Sequence, residues 1–225
     1  MSQITFKEIK HHIDEWIRLD YILPDDIPSI ELYMDQVTTF MEKELNGNKR
    51  HEDDKILTKT MINNYSKNDL LPPSNKKKYS KDHIILLIYI YYLKNFLSIS
   101  DIQNLMKPLN NDYFQKESGI TMMDIYSQMF HLEQEYGIRI QESIQDIYET
   151  ANRQYPDDND YLKTLSMILL LSYDIYAKKQ LVEKLIDSIT PQPASKDEIK
   201  EAKELAKKKE KEARNLAKQH NNEKK

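Results

Sequence analysis

The chain has no cysteine and only 3 glycines in 225 residues. The first absence excludes disulfides, thiolate metal sites and cysteine nucleophiles. The second argues against glycine loops that cradle phosphates and against hairpin-rich folds. No apolar run reaches the roughly 20 residues that cross a bilayer. Residues 1–12 have no apolar core of signal-peptide length. A cytoplasmic protein without membrane contact is the expectation. The histidines are scattered, and the adjacent His11 and His12 fall on different sides of a helix, so no metal site is expected. Asp157, Asp158 and Asp160 lack the spacing and the glycine of a calcium loop. Ser66 and Ser100 have no strand–turn–helix elbow around them. No motif points to an enzyme or a cofactor.

What is present begins with the ten apolar residues Ile84–Leu93. They leave no polar face, so a buried central helix is expected there. Ser80 is its N-cap and Asp82 lies in its first turn. Ser98 to Asp101 opens a second helix with a capping-box pattern, expected to end near Pro108. Earlier, residues 3–20 carry Ile4, Ile9, Ile13, Trp16 and Ile17 at helical spacing. Pro24 and Pro28 interrupt, and Ser29 is placed to cap a helix over Ile30–Leu45. Residues 46–55 read as a polar loop. Thr58 caps a helix that turns Met61, Ile62 and Tyr65 inward and Lys59, Thr60, Asn63, Asn64 and Lys67 outward. Pro72 and Pro73 stop it. Residues 74–79 then form a short basic excursion, with Asn75, Lys76, Lys77 and Lys78 running into Tyr79.

Residues 110–119 read as a loop. Residues 121–153 form a long helical pattern, with a break expected near Gly137. Asp160 is placed to cap a last helix reaching Ile189, and its apolar run Leu165–Tyr173 is expected to be core. The tail, residues 196–225, is charged and carries only a thin apolar stripe, so it is expected to be a solvated helix or disordered, with a weak coiled coil or a nucleic-acid-binding tail as the alternative. The 15 tyrosines sit mostly at stripe spacing and read as core.

The net charge of −4 hides an asymmetry. Residues 49–94 hold 10 basic and 5 acidic side chains, whereas residues 95–195 hold 8 and 15. One basic surface on an acidic body suits an anionic partner.

The stretch Leu57-Thr58-Lys59-Thr60-Met61-Ile62-Asn63-Asn64-Tyr65-Ser66-Lys67-Asn68-Asp69-Leu70-Leu71 resembles, without a gap, the recognition helix and turn of the MerR family of winged-helix DNA-binding domains. The family pattern is Val-Ser-x-x-Thr-Ile-Arg-Tyr-Tyr-Glu-Arg-x-Gly-Leu-Leu. Pro72, Pro73 and Tyr79 are similar to the residues that open and close its wing. Leu97-Ser98-Ile99-Ser100-Asp101-Ile102 resembles its closing helix, and Tyr33–Phe40 its first helix. Asn63 and Asn64 stand where the family has Arg-Tyr, the loop at 46–55 is longer, and the wing is shorter. The whole chain also resembles an uncharacterised bacterial family of unknown function.

The resemblance implies an all-α protein: an N-terminal helix and linker (1–28), a MerR-like winged helix-turn-helix head (29–108), a helical dimerisation or effector region (109–190) and a charged tail (191–225). It implies sequence-specific binding to double-stranded DNA by a homodimeric bacterial transcription regulator. Thr58, Lys59, Thr60, Asn63, Asn64, Lys67, Asn75, Lys76, Lys77, Lys78 and Tyr79 are then the DNA-binding residues. Asn63 and Asn64 suit adenine edges, and the lysines suit phosphates. The competing expectation is a non-catalytic protein–protein interaction module that kept the scaffold and lost DNA affinity. The acidic overall charge and the missing arginine favour it. No polar constellation names a small-molecule effector.

Overall fold

The apolar run at 84–93 becomes the centre of the molecule. In this computed structural model, which describes residues 5–16, 22–156 and 159–190, helix α4 (Lys81–Leu93) buries Ile84, Ile85, Leu86, Leu87, Ile88, Ile90 and Tyr91. Each such side chain contributes about 1.5–3 kcal/mol on leaving water. Around α4 pack Val37, Met41 and Leu45 of α2 (Met34–Leu45), Ile62 and Tyr65 of α3 (Lys59–Lys67), and Ile102 and Met106 of α5 (Ile99–Tyr113). Met122 and Tyr126, from the start of the long α6 (Met122–Gln154), complete this core. The first helix, α1 (Phe6–Trp16), joins a second cluster instead. There Phe6 stacks on Tyr148 with ring centroids 4.7 Å apart. Met167 of α7 (Asp160–Ile189) closes that cluster.

Among the described residues the regular structure is helical apart from one two-stranded antiparallel sheet, in which β1 (Leu32–Tyr33) pairs with β2 (Lys78–Tyr79). The sheet changes the start of α2. The sequence suggests a helix from Ile30 capped by Ser29, but Leu32 and Tyr33 are taken into the sheet. Tyr33 becomes the cap residue, and its N–H donates to Gln36 Oε1 at 2.9 Å.

Three further expectations are corrected. Helix α5 passes through Pro108 and runs five residues beyond it. A proline there loses one backbone hydrogen bond, while Leu109 and Tyr113 pack on the main core and favour continuation. Gly137 is buried inside an unbroken α6, since a single glycine costs only about 1 kcal/mol. In α7, Asp160 is the first helical residue, and Asn159 accepts from Leu162 N–H at 3.4 Å.

The run at 165–173 departs most. Ile168, Leu169 and Tyr173 are 54%, 59% and 73% exposed. Nor does the main core respect the boundaries expected at 28/29 and 108/109. Ile22 and Ile27 lie inside it, and so do Met122 and Tyr126. The Tyr126 hydroxyl, donating to the Ile22 carbonyl at 2.6 Å, fastens α6 to that first segment. The charged tail, Asp157 and Asp158 lie outside the described residues. The chain divides after Ile186.

Candidate nucleic-acid interface

Helix α3 is short and held at both ends. At its start, Thr58 Oγ1 accepts from Met61 N–H at 3.2 Å. The Met61 thioether accepts in turn from Thr58 N–H at 3.4 Å, standing where a capping box has a glutamate. At its end, Leu70 N–H reaches the Tyr65 carbonyl at 3.0 Å, and Asp69 N–H reaches Ser66 at 3.3 Å. This is a Schellman closure, and Asp69 occupies its left-handed position with φ 54°. The resembling family has glycine there. Asp69→Gly is therefore expected to stabilise the protein by about 0.5–1 kcal/mol, measured by urea denaturation, because glycine carries no Cβ penalty at positive φ.

Two side chains of the α4–α5 pair also brace α3. Lys94 Nζ donates to the Ile56 carbonyl at 2.9 Å, and Asn110 Nδ2 to the Leu70 carbonyl at 3.3 Å. Burial lowers the Lys94 pKa. Nothing in the local sequence marks either residue, because each acts on a segment about 40 positions away.

With Ile62 and Tyr65 buried, Lys59, Thr60, Asn63, Asn64 and Lys67 are all exposed. At 100° per residue they share a face about 140° wide. Thr58 is half-buried beside them.

The basic excursion is a tight hairpin. Asn75 and Lys78 exchange backbone hydrogen bonds of 3.1 and 2.9 Å. Lys76 and Lys77 between them have φ 48° and 65°. Two central residues at positive φ define a type I′ turn, whose preferred residues are Asn-Gly. Asn75, Lys76 and Lys77 are exposed and Lys78 is half-buried. Tyr79 is corrected from a contact residue to a support: it is 5% exposed, with its ring against His83 at a centroid distance of 5.4 Å. His83 is buried, and its Nδ1 accepts from Ser80 N–H at 3.0 Å, capping α4. Desolvation holds its pKa below the ordinary imidazole value, which keeps that nitrogen an acceptor.

The two basic elements meet at one short segment. Lys59 forms an ion pair with Asp35. Lys78 Nζ lies 4.0 Å from Glu31 and 5.6 Å from the Tyr33 ring centroid. The start of α3 and the base of the hairpin therefore flank residues 31–35. Glu31 and Asp35 partly neutralise this surface, and sequence reasoning missed them because their partners lie 24 and 47 positions away.

Among the described residues no group of three or more His, Asp or Glu side chains could hold a metal ion. No described helix is long and apolar enough to cross a membrane.

No curated protein and no solved structure matches the chain. A family model described as a domain of unknown function (DUF1836) does match, over residues 22–129. That span opens at Ile22, the first residue of the main core, and closes just past Tyr126, so the chain is similar to that family over the α2–α5 assembly and the first turns of α6.

Proposed function

We propose that the protein reads double-stranded DNA through a MerR-like winged helix and acts as a homodimeric transcription regulator. Helix α3 is the recognition helix, and the hairpin at 75–78 is the wing. The observation that carries this reading is the exposed polar face of α3 beside a basic hairpin, both flanking residues 31–35. A helix with its side chains is about 10–12 Å across, and a major groove about 12 Å wide admits it. Asn63 and Asn64 read adenine edges, with Thr58 and Thr60 beside them. Lys59 and Lys67 contact flanking phosphates, and Asn75, Lys76, Lys77 and Lys78 follow the backbone. The order of α2, α3, hairpin and α4–α5 pair supports the same reading.

The twofold partner packs on α7. Tyr161, Ile168, Leu169, Tyr173, Ile175 and Tyr176 are all exposed. They fall within about 160° of the helix circumference, opposite the buried Lys163 and Met167. Exposed apolar faces of this kind mark association surfaces.

Selection of bound duplexes from a random pool tests the reading. For Asn63→Ala, the expected loss is about 1–3 kcal/mol at one base pair of the selected site, with other positions unchanged. A loss spread evenly over all sequences removes Asn63 as a base reader. A second reading, a protein-interaction module without DNA affinity, draws on the Lys59–Asp35 and Lys78–Glu31 pairs. It stands if no duplex binds at low salt.

A further inference from the structure

A cavity of about 500 Å3 lies between α4, α5 and the first turns of α6. The DNA-binding reading makes no use of it. Tyr89, Tyr92 and Phe96 supply aromatic wall, and Leu105, Leu109 and Met129 supply aliphatic wall. Phe96 and Met129, 42% and 39% exposed, keep it in reach of solvent. Volume and lining are those of a small-molecule site.

One charged group faces this apolar space: Glu133, half-buried on α6. Among the described residues its carboxylate has no ion pair or hydrogen bond. Burial raises its pKa, and no cation among the described residues offsets the cost. The Tyr89 hydroxyl in the same wall is sealed from water without a hydrogen-bond partner. The field of Glu133 reaches it, adding to the desolvation that already keeps it protonated. A carboxylate desolvated among aromatic rings, lacking a counterion, is complementary to one kind of guest. A phosphate or carboxylate would meet like charge. A neutral hydrocarbon would leave Glu133 uncompensated.

We infer that this cavity binds an organic cation, a quaternary or protonated amine on an aromatic or branched apolar body, with the charge against Glu133 and the ring faces of Tyr89, Tyr92 and Phe96. Ring faces attract such cations most strongly where water is excluded. The site is independent of the DNA reading, yet adjoins its supports. Leu93 and Leu109 in the wall directly precede Lys94 and Asn110, the two residues that brace α3.

Calorimetric titration without DNA tests this, using benzyltrimethylammonium, its neutral isostere neopentylbenzene, and the similarly sized anion 3-phenylpropanoate. The cation is expected to bind the wild-type protein at least tenfold more tightly than the anion. Glu133→Gln is expected to weaken the cation tenfold or more and to change the neutral isostere less than twofold. The unchanged isostere shows that the cavity is intact. Equal losses for cation and isostere, or a cation affinity unaffected by Glu133→Gln, overturn the assignment. Should the variant fail to fold, the wild-type comparison decides alone: no preference for cation over anion, or no cation binding at millimolar concentration, overturns it.

Discussion

Replacing Lys76 with Asn and Lys77 with Gly is expected to weaken binding to a selected duplex roughly 60-fold per protomer at about 0.1 M salt, while leaving the fold intact or slightly firmer. The estimate follows from counterion release, in which each phosphate contact adds about 0.9 to the salt slope and therefore about 0.9 log units at 0.1 M. Two contacts give about 1.8. The choice of residues separates charge from structure. Lys76 and Lys77 sit at positive φ in a two-residue hairpin turn, and Asn-Gly is what such a turn favours. A loss of affinity therefore cannot come from a broken hairpin. Fluorescence anisotropy across a salt series reads both quantities. A slope flatter by about 1.8 per protomer supports the wing. An unchanged slope would mean that these lysines are merely solvated, and the adaptor reading would gain.

The second large effect concerns α7. If two chains pair through α7 as proposed, changing Ile168 and Ile175 together to Asp is expected to leave a monomer, with the dissociation constant raised at least about a thousandfold. Both positions are exposed in the protomer, 54% and 62%, so the protomer itself should change by no more than about 0.5 kcal/mol per site. In a twofold interface each substitution occurs twice, and four carboxylates would be placed in an apolar seam. Burying an unpaired charge costs several kcal/mol, and about 4 kcal/mol already corresponds to a thousandfold. Light scattering with denaturant melts checks both halves of the expectation. A wild-type protein that stays monomeric well above micromolar concentration would remove the dimer, and with it the twofold operator.

The wing variant removes charge from the proposed phosphate-contacting hairpin and the α7 variant places charge in the proposed apolar seam, so their outcomes are read at different sites. On the proposed reading, the wing variant is expected to keep its dimer and its shape and to lose grip on the phosphates. On the same reading, the α7 variant is expected to keep half-site contacts and to lose the second half.

The sequence by itself determined what short-range chemistry controls. Thr58 and Ser98 each accept the backbone N–H three residues on, because hydroxyl and N–H are brought together by the first turn itself. The ten-residue apolar run of α4 could only be interior, and the polar side of α3 could only face outward, since each follows from the helical repeat. Tertiary structure decided the rest. Leu32 and Tyr33 became strand because Tyr79 and Lys78, 45 or more positions away, offered backbone partners. Pro108 failed to end α5 because the core beyond it holds Leu109 and Tyr113. The apolar run of α7 reads as core in sequence, yet one chain covers only the side bearing Lys163 and Met167. Periodicity says which side chains avoid water, but not whether a single protomer has enough surface to shelter them. Glu31 and Asp35 beside the lysines, and Glu133 among the rings, are encounters between distant segments. No local pattern specifies them, because the energy that places each is shared across the whole core.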